Sequence, residues 1–167
     1  VRGTATDGHG IGASQFVAST GIGAGNPLPL SFGILGTAAK NGGSGIVESF
    51  FVADRDADGS GRLGNLAGTT DGTGSGIESS TFRGEGIGSI TGSAVVFHGI
   101  IDSTFIAENG GIGAITGFSG SDPKANAIGF SQFRAAAGGM GALLAASAEG
   151  RAVQERFPLI RMIVPRG

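Results

Sequence analysis

The apolar and polar positions of this chain follow a frame that recurs five times. Each copy has an Ile, a Ser three residues later, and then a Phe and a small residue at two-residue steps. Because successive residues of a strand point to opposite faces, the Ser, the Phe and the small residue share one face of a short β-strand. The Ile stands three residues before the Ser, so a bend between them is needed to bring it to the same side. The isoleucines that open the five copies are Ile11, Ile46, Ile77, Ile100 and Ile128.

The spacing of the frame indicates a repeat architecture. Successive copies begin 35, 31, 23 and 28 residues apart, within the range typical of solenoids. A fixed frame with variable spacing predicts constant strands and variable loops. A second frame (an aliphatic residue, Gly, any residue, an aliphatic residue) follows most copies and predicts one further short strand per repeat. It begins at Leu63, Ile87, Ile112 and Met140, and it is degraded at Ile22.

These two frames predict an all-β fold, a parallel β-helix (β-solenoid) of about five rungs with variable loops. Neighbouring rungs are expected about 4.8 Å apart, a distance that suits stacked aromatic rings. The serines are expected to form a ladder of hydroxyls, each donating to the next. An antiparallel sandwich of hairpins is the alternative. The ring ladder is predicted to contain Phe16, Phe51, Phe82, Phe105 and Phe133.

The 167 residues are predicted to form a single domain, with repeats near 9–43, 44–74, 75–97, 98–126 and 127–145. The Ala-rich segment 134–155 fits a short helix as well as a strand. The segment 146–167 contains an apolar run between Pro158 and Pro165. We expect it either to cap the last rung or to exchange as a strand with another subunit, because the end of a solenoid is an open sheet edge.

The recurring Ile-x-x-Ser-x-Phe frame resembles the right-handed parallel β-helix repeats of large bacterial exported surface proteins. The resemblance covers about residues 9–145, and it implies a protein that is secreted or held at the cell surface. The chain begins at Val1 rather than Met. We therefore expect it to be a processed or excised piece of a longer export product.

Composition and charge limit both the type of fold and the possible partners. Gly accounts for 35 residues, about 21% and roughly three times the usual share, which favours a fold with many turns. Cys is absent, so the chain has no disulfide framework. A net charge of −2 argues against nucleic acid, and no apolar run approaches the ~20 residues of a membrane-spanning helix. Residues 134–167 carry a net charge of +3 and residues 1–133 carry −5, a split that favours end-to-end contact between copies.

An acidic run suggests a metal site. Asp54, Asp56 and Asp58 alternate, and a glycine follows. This spacing resembles the calcium loop of EF-hand-like modules, including dockerins and thrombospondin-type repeats. The resemblance implies calcium as a cofactor, bound by the three carboxylates, with Ser60 contributing its backbone carbonyl and Asn65 at the twelfth position.

The run departs from that family at two positions. Arg62 stands at the ninth position, and Asn65 replaces the usual bidentate Glu at the twelfth. Any calcium affinity is therefore expected in the weak extracellular range of about 10⁻⁴–10⁻³ M. A solvated acidic turn without calcium is the alternative.

Two histidines stand at equivalent places, two residues before the Ile of their repeats. His9 and His98 correspond to Ser44, Ser75 and Asn126 in the other repeats, and all five residue types can form hydrogen bonds at a turn. We therefore expect a turn-capping role. The two histidines are three repeats apart, so they are not expected to share a metal.

The sequence favours a structural function over catalysis. Trp and Tyr, which commonly stack on sugar rings in carbohydrate-active enzymes, are absent, and no catalytic motif is present. We expect a structural extracellular β-solenoid of a cell surface or filament that associates with itself through its ends. The first alternative is an adhesion module that binds a surface glycan through the insertions at 21–43 and 54–74. The second is a polysaccharide-active β-helix enzyme.

Overall fold

The computed structural model describes residues 1–18, 21–22, 33–39, 43–53 and 61–154. These residues form twenty strands and no helix. Every strand pair is parallel, and the strands form four sheets, named here A, B, C and D, which the chain visits in that order on each turn. The predicted all-β parallel solenoid is confirmed, and an antiparallel sandwich is excluded.

Sheets A and B have six strands each. In their order across the sheet, the strands of sheet A are β1 (Arg2–Ala5), β5 (Ile34–Ala38), β9 (Leu66–Thr70), β13 (Ile90–Ala94), β16 (Ile115–Ser119) and β19 (Leu143–Ser147). Those of sheet B are β2 (Ile11–Gly12), β6 (Ile46–Val47), β10 (Ile77–Glu78), β14 (Ile100–Ile101), β17 (Asn126–Gly129) and β20 (Arg151–Gln154).

Sheets C and D are smaller. Sheet C contains β3 (Gln15–Ala18), β7 (Phe50–Ala53), β11 (Thr81–Gly84), β15 (Thr104–Ala107) and β18 (Gln132–Ala135). Sheet D contains β4 (Gly21–Ile22), β8 (Arg62–Leu63) and β12 (Gly86–Ile87), and isolated bridges through Ile112 and Met140 extend it. One pass from sheet A to sheet D is called a rung. Rungs one to five contribute to all four sheets, the fourth and fifth through the isolated bridges in sheet D. Rung six consists of β19 and β20.

The phenylalanines of the frame form an uninterrupted internal stack. The strand register places Phe51 beside Phe82 and Phe82 beside Phe105. Ring centroids along the five residues are 4.8–5.0 Å apart, with interplanar angles of 9° or less. The three central rings are fully buried, so the predicted ladder is confirmed. Phe16 and Phe133, at the two ends, are partly buried.

The bend predicted between Ile and Ser is a single residue in the left-handed region. It has φ between 44° and 48° in all five rungs. Such a conformation is unusual for a residue with a side chain, and here it turns the chain from sheet B to sheet C. As a result the frame Ile reaches the interior, where it is at most 6% exposed. The five bend residues are Ala13, Glu48, Ser79, Asp102 and Phe130.

The serine ladder has a different hydrogen-bond pattern from the one expected. Each hydroxyl donates within its own rung, as Ser80 Oγ does to the carbonyl of Glu78 at 2.7 Å. The same oxygen accepts a backbone N–H from the preceding rung, as Ser80 Oγ does from Ser49 at 3.1 Å. The prediction that each serine hydroxyl donates to the next one is therefore wrong. The buried hydroxyls instead fasten the left-handed bend and join consecutive rungs.

The second frame is a corner between two sheets, not one strand. Leu63 lies in sheet D and Leu66 opens the next strand of sheet A, and the same holds for Ile87 and Ile90. Rungs one to three therefore have four strands each, and rungs four and five have three strands and an isolated bridge, more than the frame strand and one further strand that the sequence predicts. All four of these aliphatic side chains are buried against the ring stack.

A glycine seam joins sheets A and B. The middle residue of each strand in sheet A is Gly in rungs one to five, and the residue before the frame Ile is Gly in rungs one to four. The two columns touch through their backbones: a Cβ built on Gly68 would overlap the carbonyl oxygen of Gly76. A Cβ on Gly76 would in turn overlap the backbone nitrogen of Ser93. In rungs one to four a side chain in either column would overlap the neighbouring backbone, which accounts for part of the high glycine content.

The C-terminal part of the described chain continues the coil. Residues 134–154 contain the end of β18 and all of β19 and β20, so the strand alternative for the Ala-rich segment is the one observed. The last part of the segment 146–167, including the apolar run 157–165, lies outside the described residues. Its predicted capping or exchange role stays a prediction.

The seam predicts a large difference between two Gly→Ala substitutions. Gly68→Ala must push two backbones apart, and we expect it to lower the free energy of unfolding by about 3 kcal/mol or more. The matched control is Gly12→Ala, at an outward position beside Val47, where the nearest heavy atom to a new Cβ would be His9 Cβ at 3.2 Å. Urea unfolding of both variants measures the difference, and equal stabilities would contradict the seam.

Candidate functional site

Most of the predicted calcium ligands lie outside the described residues. These are Asp54, Asp56, Asp58 and Ser60, in the segment that joins β7 of sheet C to β8 of sheet D. Asn65, the fifth, lies at the corner between sheets D and A, where its Oδ1 accepts the backbone N–H of Ser89 at 3.0 Å. Among the described residues, no group of three or more His, Asp or Glu side chains has the arrangement of a metal site.

A nearly buried carboxylate lies where that acidic segment ends. Glu85 is 8% exposed, and its backbone N–H donates to the carbonyl of Gly61 at 2.6 Å. Its Oε2 accepts a hydrogen bond from Asn109 Nδ2 at 2.7 Å. No sequence pattern marks Glu85, because its contacts at the corner between sheets C and D depend on the register between rungs.

The predicted turn-capping role of the histidines is confirmed, and the bond crosses between rungs. Nδ1 of His9 accepts the backbone N–H of Ser44 at 2.9 Å, and Nδ1 of His98 accepts that of Asn126 at the same distance. Ser44, at the equivalent position of rung two, does the same, since its Oγ accepts the backbone N–H of Ser75 in rung three at 3.1 Å. An accepting side chain in one rung thus satisfies a backbone donor in the next rung at the entry to sheet B.

Burial lowers the pKa of His98 below its ordinary value of 6.5, although the carboxylates of Glu78, Asp102 and Asp122 act in the opposite direction. The hydrogen bond has the same consequence. Nδ1 must be unprotonated to accept the N–H of Asn126, so the inter-rung bond requires this nitrogen to remain free of a proton.

An open depression lies beside the first histidine. It is formed by rungs one to three, and Ser44 Oγ donates to Glu78 Oε2 at 2.7 Å at its edge. Because His9 Nδ1 is occupied by a backbone N–H, and Ser44 is only 2% exposed, these groups do not form a nucleophile–base pair open to solvent. Their observed contacts are those of a turn. The depression is lined by His9, Gly12, Ala13, Val47, Glu48 and Glu78.

The outward face of sheet C carries two columns of side chains in register. The column through Thr81 continues with Thr104 on the next strand, and the column through Arg83 continues with Ile106. Arg83 forms an ion pair with Glu108 at 2.6 Å, with both side chains well exposed. Such a pair contributes little to stability. The columns mix apolar, polar and charged residues, so this face has no repeated chemistry.

The insertions assigned to glycan binding contain strands. The range 21–43 includes β5, and the range 54–74 includes β8 and β9, so these parts belong to the walls of the coil. Residues 23–32, 40–42 and 54–60 lie outside the described residues. The described part of each range therefore contains fewer loop residues than the spacing of the frame predicts.

Among the described residues, the strands at the two ends of the coil pair on one side only, and apolar side chains there are exposed. At the C-terminal end Leu143 is 50% exposed and Val153 is 42% exposed, although each continues a column that is buried elsewhere. At the other end, β1 pairs with β5 alone. The regular sequence frame hid this difference, because the same residue type is buried inside the stack and exposed at its end.

No family model, curated protein or solved structure matches this chain. The described part of the chain also has no helix long and apolar enough to cross a membrane.

The histidine geometry predicts a pH-dependent stability. Because folded His98 takes up a proton less readily than the unfolded chain, the free energy of unfolding should decrease as the pH falls below about 6.5. The variant His98→Ser keeps a side chain that can accept a hydrogen bond, as Ser44 does at the equivalent position of rung two, but this side chain does not titrate. Melting temperatures between pH 7.5 and 5.0 test this. The wild type should lose more stability than the variant, and parallel losses would contradict the assignment.

Proposed function

We propose that this chain is a structural module of an extracellular filament or cell-surface protein, in which solenoid units assemble head to tail and calcium adds stability. One observation carries the proposal: parallel sheets and stacked columns run in register from one end of the described coil to the other and finish at open edges. Open edges favour pairing with another strand, and a contact between unlike ends extends into a filament.

The interior supports a mechanical role. Consecutive rungs are joined by backbone hydrogen bonds in the sheets. The serine column adds one bond at each junction from rung one to rung five, and the turn column adds one at three of these junctions. These bonds run along the coil axis, so a load along that axis is shared by several of them at each junction. The fully buried rings of Phe51, Phe82 and Phe105 exclude water along the same axis.

Calcium is the second part of the proposal. The alternation of Asp54, Asp56 and Asp58 supports it through the chemistry of the ligands, since Ca²⁺ prefers carboxylate oxygens. The segment follows β7 of the second rung, and Gly61, the residue after it, accepts the backbone N–H of Glu85 in the third rung. An ion bound only by the folded form of this segment would stabilise the stack.

Assembly is tested on the full chain by sedimentation velocity and negative-stain microscopy over a range of concentrations, with calcium present. We expect unbranched end-to-end oligomers, and Val153→Lys should weaken them because it places a charge in the exposed apolar end. The matched control is Val95→Lys, at a 55% exposed residue between sheets A and B on the side of the coil. A strictly monomeric chain would contradict the proposal, and equal effects of both variants would indicate lateral association instead.

The calcium proposal is tested by thermal melting. If calcium binds only the folded chain with the affinity expected of such loops, roughly 10 mM Ca²⁺ should add about 1.4–2.7 kcal/mol of stability. Asp56→Ala should abolish the increase, and Glu149→Gln, at an exposed carboxylate near the C-terminal end, should leave it unchanged. An unchanged melting temperature in the wild type would remove calcium from the account without affecting the assembly proposal.

A further inference from the structure

We propose that the edge of β19 that has no partner among the described residues pairs in parallel with the corresponding edge of β1 in a second copy, with Leu144 beside Arg2. This inference rests on the proposed head-to-tail assembly and specifies its interface. The occupant of the C-terminal edge is thus a second copy of this chain.

The backbone groups at the two edges are complementary. Leu35 N–H donates to Val1 O and Ala39 N–H donates to Ala5 O, so the odd-numbered residues of β1 face β5. Because bonding sides alternate along a parallel strand, Arg2 and Thr4 face the free edge.

At the C-terminal end of the coil, the same alternation directs the odd-numbered residues of β19 away from β16. Ala148 N–H donates to Ser119 O, so the even-numbered residues at β19 face β16. Leu143, Ala145 and Ser147 therefore direct their backbone groups to the free edge. Continuing the register of the sheet, Arg2 N–H would donate to Leu143 O, and Ala145 N–H would donate to Arg2 O.

The side-chain columns also continue across the junction. Leu144 belongs to the outward column that contains Thr116, and Arg2 belongs to the same column through Leu35. The next copy would add Arg2 after Leu144 in this column. In sheet B, Val153 continues the column of Ile128, and Ile11 of the next copy would cover its exposed side.

The order of the sheets favours a head-to-tail contact over a symmetric one. In a head-to-tail contact, sheet A meets sheet A and sheet B meets sheet B at the same time. A two-fold axis between like ends would reverse the order around the coil, so only one sheet could align. Sheets A and B have a strand in rung six, whereas sheets C and D end at rung five within the described chain, so the contact is assigned to sheets A and B.

The proposed contact between Leu144 and Arg2 can be tested by changing the charge at these two positions of the 167-residue chain at low salt. Leu144 is 54% exposed and Arg2 is exposed, so the substitutions should leave the fold intact. Leu144→Glu should lower the concentration of half-assembly about 1.5- to fivefold, the range of one opposite-charge cross-strand pair, and Leu144→Lys should raise it by a similar factor. Adding Arg2→Glu to Leu144→Lys should restore assembly. Salt should reduce all three effects.

Matched controls lie in the same outward column inside the stack. Thr91→Lys and Thr91→Glu place the same charges in rung four, away from both ends, and should leave the half-assembly concentration unchanged. If oligomers form but Leu144→Lys and Leu144→Glu act alike, or the double variant is not restored, this interface is wrong and head-to-tail assembly by another contact survives. If no variant or wild-type sample assembles, both the interface and the proposed assembly are wrong.

Discussion

Stacking of each rung on an equivalent rung is the constraint on which the rest of this structure depends. A parallel coil places every residue beside its counterpart about 4.8 Å away, so a position accepts only residue types that pack well against themselves. Phe82 meets this condition by ring stacking, and Ser80 meets it by donating within its rung while accepting from the next. The glycines of the seam meet it by leaving room for the backbone of the adjacent sheet.

The sequence predicted the parts of the fold where this constraint selects a distinctive side chain. The recurrence of Phe at a fixed distance from Ile and Ser was enough to predict the ring stack, the bend and the parallel order of the strands. The walls formed by sheet A were harder to predict, because their shared mark is a central glycine such as Gly68, and glycine is common throughout the chain. Glycine is too common in this chain for its positions to form a recognisable sequence pattern, although its lack of a side chain determines how closely two sheets approach.

Site chemistry was less predictable than architecture, for a physical reason. The histidine role followed from position, since residues aligned at one corner serve the same turn. The polarity of the serine bonds did not follow, because a hydroxyl can donate and accept and only geometry decides which it does. Glu85 was missed because the contact that buries it joins residues from different rungs. If the chain assembles as proposed, its functional surfaces are the ends of the coil, and such an interface needs little specialised chemistry.

Disulfide trapping of paired cysteines tests the in-register stack most directly, because the chain has no cysteine of its own. Thr81 and Thr104 are register partners in sheet C, and the spacing of neighbouring strands lies within the Cα separation that a disulfide accepts. Ile106 instead pairs with Arg83, two residues further along the strands. The account predicts rapid and nearly complete oxidation of the Thr81→Cys/Thr104→Cys variant and little oxidation of the Thr81→Cys/Ile106→Cys variant. Equal oxidation of the two, or failure of the first pair to close, would contradict it.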